Sequence, residues 1–161
     1  SLAPVKEVSP HAKALAALAK NPDLRDGNCE HFEQVFIFDY FERKHPDIYE
    51  LLHATPNGGK RSKATAGKMK AEGQKKGYPD MSLDKACGIY HGMRIELKEP
   101  NGKAPTKEQI AWMRRLREEG YYVVLAYGAE QAITAILEYI SLKKGEAIEH
   151  VLNGDKWLHA A

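Results

Sequence analysis

Cysteine is scarce in this chain: Cys29 and Cys87 stand too far apart for a CxxC motif and are too few for a disulfide-stapled secreted scaffold. Long apolar runs are missing too. Nothing approaches the ~18 residues of a membrane span, and the alanine-rich stretch 12–19 is short and interrupted by Lys13, a poor core for a secretory leader. There is no internal repeat and no low-complexity linker. Neither apolar nor charged residues are depleted, at 43% and 29%, which excludes wholesale disorder and collagen-like chains. The expectation is a reducing, cytoplasmic setting in a bacterial or phage-infected cell, with no membrane and no organic cofactor.

What is present suits one domain. At 161 residues a compact fold hides about two-thirds of the surface of its unfolded chain, so a core needs no staple. Charge is unevenly distributed. Between positions 60 and 76, Lys60, Arg61, Lys63, Lys68, Lys70, Lys75 and Lys76 are opposed by Glu72 alone, which is seven minus one, or +6, and leaves −4 for the rest of a chain whose total is +2. Such a segment is what a polyanion-binding face looks like; the alternative is a helix kept soluble by lysine.

Residues 1–28 read as a leader with a small Ala/Leu helix over 10–20. Dense apolar positions (Phe32, Val35, Phe36, Phe38, Phe41) predict a helix over 30–44, ended by His45-Pro46. The run 49–54 predicts a strand entering the Pro56-Asn57-Gly58-Gly59 loop. Ser62 reads as the N-cap of the basic helix and Gly77 as its stop. Strands are predicted at 81–83 and 93–97, then a helix over 106–119 with Thr106 and Gln109 placed as a capping box. A strand at 121–127, apolar on both faces, and an amphipathic helix over 129–142 complete the pattern; the tail from Lys143 reads as one more helix or none. The segment from Glu96 to the 121–127 strand has the length of one right-handed crossover. The fold class is therefore α/β with a mixed sheet.

Chemistry concentrates in Ile95-Glu96-Leu97-Lys98. Strand side chains alternate, so Glu96 and Lys98 share a face, opposite Ile95 and Leu97. Such a pair is ordinarily a surface salt bridge of little value. The nearby Gly77-Tyr78-Pro79-Asp80 changes that reading, because antiparallel pairing of 81–83 with 93–97 brings Asp80 to Glu96. Two adjacent carboxylates repel unless a positive charge joins them. A hard cation such as Mg²⁺ takes oxygen ligands, and Asp80, Glu96 and the Leu97 carbonyl could supply one side of its shell. Lys98 would then lie beside a water on that cation, deprotonating it or turning it toward a phosphate, as in metal-dependent nucleases. His31, His53 and His91 have no metal-ligand spacing, Trp112 reads as core, and Tyr78 reads equally as loop packing or as a ring for a base or sugar.

Together these features resemble the PD-(D/E)XK nuclease signature and, more specifically, the VRR-NUC (virus-type replication-repair nuclease) domain. The matching stretches are EHFEQ (Glu30 to Gln34), PNGGKRS (Pro56 to Ser62), GYPD (Gly77 to Asp80), GMRIELK (Gly92 to Lys98) and KEQIAWMRRLREEGY (Lys107 to Tyr121). The resemblance implies a restriction-endonuclease-like core of about four strands flanked by helices, in a nuclease domain over 29–143. An N-terminal helical extension (1–28) and a C-terminal extension packed on the same domain (144–161) would flank it. It also implies Mg²⁺- or Mn²⁺-dependent phosphodiester hydrolysis with Asp80 and Glu96 as metal ligands and Lys98 as the catalytic lysine. Glu33 would be the first-helix acid, holding a second metal or a metal-bound water, with Glu30 the fallback on the same helical face. Gln109 matches a family glutamine near the site, while its capping position offers a structural alternative. Asn57, Gly58 and Gly59 would let backbone approach DNA, although a plain Asn-Gly turn explains the same residues, and Lys60, Arg61, Lys63, Lys68 and Lys70 would bind its phosphates. The expected activity is that of a Holliday-junction resolvase-like homodimer on branched DNA. The rivals are a monomeric flap or single-strand nuclease and an inactive DNA-binding module.

Overall fold

The computed structural model describes residues 7–56, 62–155 and 157. Six α-helices are present among them: α1 (Pro10–Lys20), α2 (Cys29–Lys44), α3 (Pro46–Leu51), α4 (Lys63–Ala71), α5 (Lys107–Glu118) and α6 (Ala129–Ile140). Four strands, β1 (Leu52–Ala54), β2 (Met81–Leu83), β3 (Met93–Lys98) and β4 (Tyr122–Tyr127), form one sheet in the order β1-β2-β3-β4. The first two pairings are antiparallel and the third is parallel, with Ile95 opposite both Met81 and Val124. The sheet is mixed, as the α/β reading requires, and α5 forms the crossover between its parallel strands.

Strand alternation divides the interior into two layers. Met93, Ile95 and Leu97 of β3 and Tyr122, Val124 and Ala126 of β4 pack against Ile37, Phe38 and Phe41 of α2 and Ala132, Ile136 and Tyr139 of α6. On the opposite face Val123 packs with Met113 and Leu116 of α5. β4 is therefore buried on both sides, the usual state of a parallel strand. No helix among the described residues is long and apolar enough to cross a membrane.

Two local expectations need correction. The run 49–54 is a strand only from Leu52. Pro46 occupies the first helical position and Asp47 the first turn, both favourable at a helix start, so the chain turns through α3 as far as Leu51. The basic helix does begin at Ser62, whose Oγ accepts from Thr65 N–H at 3.1 Å, but it ends at Ala71. The positive-φ residue just beyond its Glu72 cap is Gly73, not Gly77. The tail forms no further α-helix among the described residues. Its Ile148, Val151 and Leu152 cover the α2/α6 layer, and Asn153 Nδ2 donates to the Leu125 carbonyl at 2.7 Å. At the other end α1 lies on α2, where His11 stacks on Phe38 and shares a 2.8 Å hydrogen bond with the Tyr49 hydroxyl.

Candidate active site

Asp80 sits at the mouth of β2, and the neighbouring chain holds it there. Thr55 N–H donates to the Asp80 carbonyl at 2.8 Å, and the Thr55 hydroxyl donates to the Pro79 carbonyl at 2.7 Å. The preceding turn needs glycine. Gly77 has φ of +90°, and a Cβ there would stand 2.7–2.9 Å from Glu108 and the Gln109 nitrogen at the start of α5. One Asp80 carboxylate oxygen accepts from Leu97 N–H at 2.7 Å. The N–H and C=O of a strand residue face the same neighbour, so the Leu97 carbonyl is directed to the side on which Asp80 lies.

Alternation along β3 places Arg94, Glu96 and Lys98 on the α5 face. Arg94 bonds the Tyr78 hydroxyl at 3.1 Å and lies over the Tyr121 ring at 4.3 Å. Lys98 Nζ donates to Gln109 Oε1 at 3.0 Å. That same oxygen accepts from Thr106 N–H at 2.8 Å, and the Thr106 hydroxyl accepts from Gln109 N–H in return. Gln109 thus caps α5 and, through the same side-chain oxygen, accepts a hydrogen bond from Lys98.

Glu96, between them, is 1% exposed, and its Oε2 has no hydrogen-bond partner among the described residues. Burial, then the nearby Asp80 carboxylate, push its pKa up to about 9 against the pull of Lys98. Burial also raises Asp80, opposed by the Leu97 N–H, Glu96 and Lys98. Glu30, in the first turn of α2, is raised by partial desolvation and by Asp80, and its own charge is felt by Glu96. A cleft of about 760 Å³ opens here, with Glu30, Gln34, Thr55 and Asp80 on its walls and His11 of α1 at its side. A partnerless buried carboxylate oxygen beside a second carboxylate suits a cation. Among the described residues no three Asp, Glu, His or Cys side chains converge to hold one by themselves. The oxygen set is two carboxylates and a carbonyl, which fits an ion that keeps several waters, as Mg²⁺ does.

Among solved structures, one described as a VRR_NUC domain protein shares 30% sequence identity with this chain and a TM-score of 0.66, over 76% of this chain and 97% of its own. The chain belongs to the VRR-NUC family. It is a nuclease-type domain with the α/β core of that family. No family model and no curated protein matches it.

Within this VRR-NUC domain the first-helix acids are sorted differently from expectation. Glu33 is turned away from Asp80 and Glu96: its carboxylate pairs with Arg25 at 3.2 Å and accepts from Ala129 N–H, the first residue of α6, at 3.3 Å. Gly128 caps that helix without a side chain, so Glu33 satisfies the helix start from a distance, as an acid at a helix N-terminus should. Glu30 is the acid that reaches the carboxylate group. Lys63, Lys68 and Lys70 are exposed on α4, whereas Asn57, Gly58, Gly59, Lys60 and Arg61 lie outside the described residues. His53 pairs with Asp84 at 3.0 Å on the edge of the sheet, His91 lies against Tyr121, and His31 lines the cleft. Sequence reasoning missed Thr55, which only the pairing of β1 with the Pro79-Asp80 turn reveals. The same strand alternation places Arg94 on the face of Glu96 and Lys98, but the sequence reading gives it no role there.

Proposed function

We propose that this VRR-NUC domain is a divalent-metal-dependent DNA endonuclease that acts on branched DNA as a homodimer. The observation that carries the reading is the buried, partnerless Glu96 carboxylate oxygen beside Asp80, with the Lys98 amine held next to it by Gln109. Asp80, Glu96 and the Leu97 carbonyl would hold Mg²⁺ or Mn²⁺, which when bound offsets the negative charge on a phosphodiester oxygen. The protein's own groups do the positioning. Gln109 fixes Lys98 Nζ in place, and Lys98 orients the attacking water and counters the charge developing at phosphorus. Glu30 borders the cleft where the strand enters, and the Lys63, Lys68 and Lys70 side chains supply charge for flanking phosphates. Dimerisation follows from the substrate: one active site per chain and two opposed cuts per four-way junction call for a two-fold axis.

The test is cleavage of labelled four-way, flap, single-stranded and duplex DNA, with Mg²⁺, with Mn²⁺, with Ca²⁺ and with chelator, alongside sedimentation to give the oligomeric state. Expected are cutting in Mg²⁺ or Mn²⁺, preference for the junction, a dimer, and loss of cutting with retained binding in Asp80→Asn and Glu96→Gln. Unimpaired turnover by either variant, or vigorous cutting in chelator, overturns the assignment.

A further inference from the structure

Beside the catalytic cleft lies a second cavity of about 480 Å³, walled by Tyr78, Trp112 and Met69 and bordered by Lys75. Its size is that of a small-ligand pocket, about 300–1,000 Å³. Thr55 lines both this cavity and the cleft containing Asp80, and Tyr78 precedes Asp80 by two residues. The aromatic wall is braced. Trp112 meets Tyr78 edge-on at 5.0 Å, the Tyr78 hydroxyl accepts from Arg94, and Gln74 Nε2 ties the exit of α4 to the Pro56 carbonyl at 2.8 Å. Glu72 is also on the rim, opposed by Lys75 there and by Lys68 and Lys70 one turn or less away on α4.

From this arrangement we infer that the Tyr78/Trp112 cavity receives one unpaired nucleobase from the strand whose backbone crosses Asp80 and Glu96. The inference rests on the nuclease reading above and deepens it. A flat ligand with π faces suits the aromatic wall, the adjoining lysines suit the phosphates on either side of that ligand, and the shared Thr55 makes the two sites neighbours on one strand. A base within a duplex cannot enter a side pocket without leaving its stack. The substrate class is therefore nucleic acid with an unpaired nucleotide next to the reacting phosphate, as at a branch point or along a single strand.

The experiment uses branched and single-stranded DNA in which one abasic nucleotide is moved through the sequence. Binding is measured with the Asp80→Asn protein and cutting with the wild type in Mg²⁺. One position should weaken binding by roughly 5- to 150-fold when its base is removed, and Trp112→Leu in the same background should flatten that profile. Because Trp112 also packs beside Met113 and Leu116, 2-aminopurine at the sensitive position supplies a second reading with the aromatic wall intact: its fluorescence should be quenched on binding. A flat abasic profile without quenching overturns the inference, and robust cutting in the same assay would leave the nuclease reading standing. A single sensitive position on DNA that is never cut would support the cavity and sink the nuclease reading instead. Absence of any DNA binding would end both.

Discussion

Two buried glutamates show how partners decide what a carboxylate can do. Glu33 is neutralised by Arg25 and by the start of α6, so its charge is structural. Glu96 shares its surroundings with Asp80 and keeps an oxygen without a partner. Replacing Glu33 by Ala should therefore lower stability by about 1–3 kcal/mol, chiefly through the buried Ala129 N–H left without its acceptor, since the half-exposed Arg25 can turn to water; urea titration measures this, and cleavage should remain. Glu30→Gln should do the reverse. A Glu33 variant that folds normally but cannot cut would restore the assignment drawn from the sequence. Glu96 also gives a pH dependence of definite sign. Its folded pKa, about 9, lies above the ordinary 4.5, so the folded state binds more protons than the unfolded state between those values. The resulting stability is complete below about 4.5 and disappears as pH rises through 9. In chelator, Tm should fall from pH 5 to pH 9 in the wild type, and Glu96→Gln should flatten that fall. At pH 8.5 the variant should melt at least about 2–4 °C higher, the equivalent of ~1 kcal/mol in a domain of this size. Equal slopes in both proteins would mean that Glu96 ionises normally.

At the scale of elements the site depends on how α5 meets the turn before β2. Gly77 holds that meeting, since its φ of +90° and its closeness to Glu108 and Gln109 leave no place for a side chain. Gly77→Ala should cost about 1–3 kcal/mol for the backbone conformation alone, and it should cost activity as well, because displacing the first turn of α5 moves the Gln109 oxygen that holds Lys98. Melting and cleavage at a temperature where the variant is folded separate the two effects; normal kcat with lowered Tm would make Gly77 purely structural. Local patterns made much of this legible. Alternation over residues 93–98 put Glu96 and Lys98 on one face, and Thr106 with Gln109 marked the start of α5. The misreadings arose where tertiary packing outweighed local signals. Gly77 looked like a helix stop because the sequence does not show that α5 lies against it. Leu51 reads as strand in the sequence because Pro46 there only terminates α2, whereas in the fold it also begins α3. Glu30 and Glu33, one helical turn apart, cannot be ranked without knowing that α6 begins beside one of them.

Over the whole molecule the charge imbalance sets how nucleic acid would be held. Positions 60–76 carry +6 and the remainder −4; among the described residues of that segment, Lys63, Lys68 and Lys70 lie on α4, which borders the aromatic cavity through Met69. Lys76 has Glu108 at 3.9 Å to share its charge, while Lys63, Lys68 and Lys70 are exposed on the helix. Each phosphate contact releases condensed counterions, with a log-log salt slope of about −0.9 per contact on duplex and about −0.7 on single strands. Changing Lys63, Lys68 and Lys70 together to Gln should therefore reduce the slope by up to about 2.7 if duplex arms lie along α4. The reduction should be only about 2.1 if a single strand does. Fluorescence anisotropy in the Asp80→Asn background, from 50 to 300 mM salt on both substrates, distinguishes these cases. Because the lysines contact neither Glu96 nor Lys98 in this arrangement, kcat at saturating DNA should be unchanged while KM rises. A slope indifferent to all three substitutions would mean that α4 is a solvated helix and that the strand reaches Asp80 from another direction.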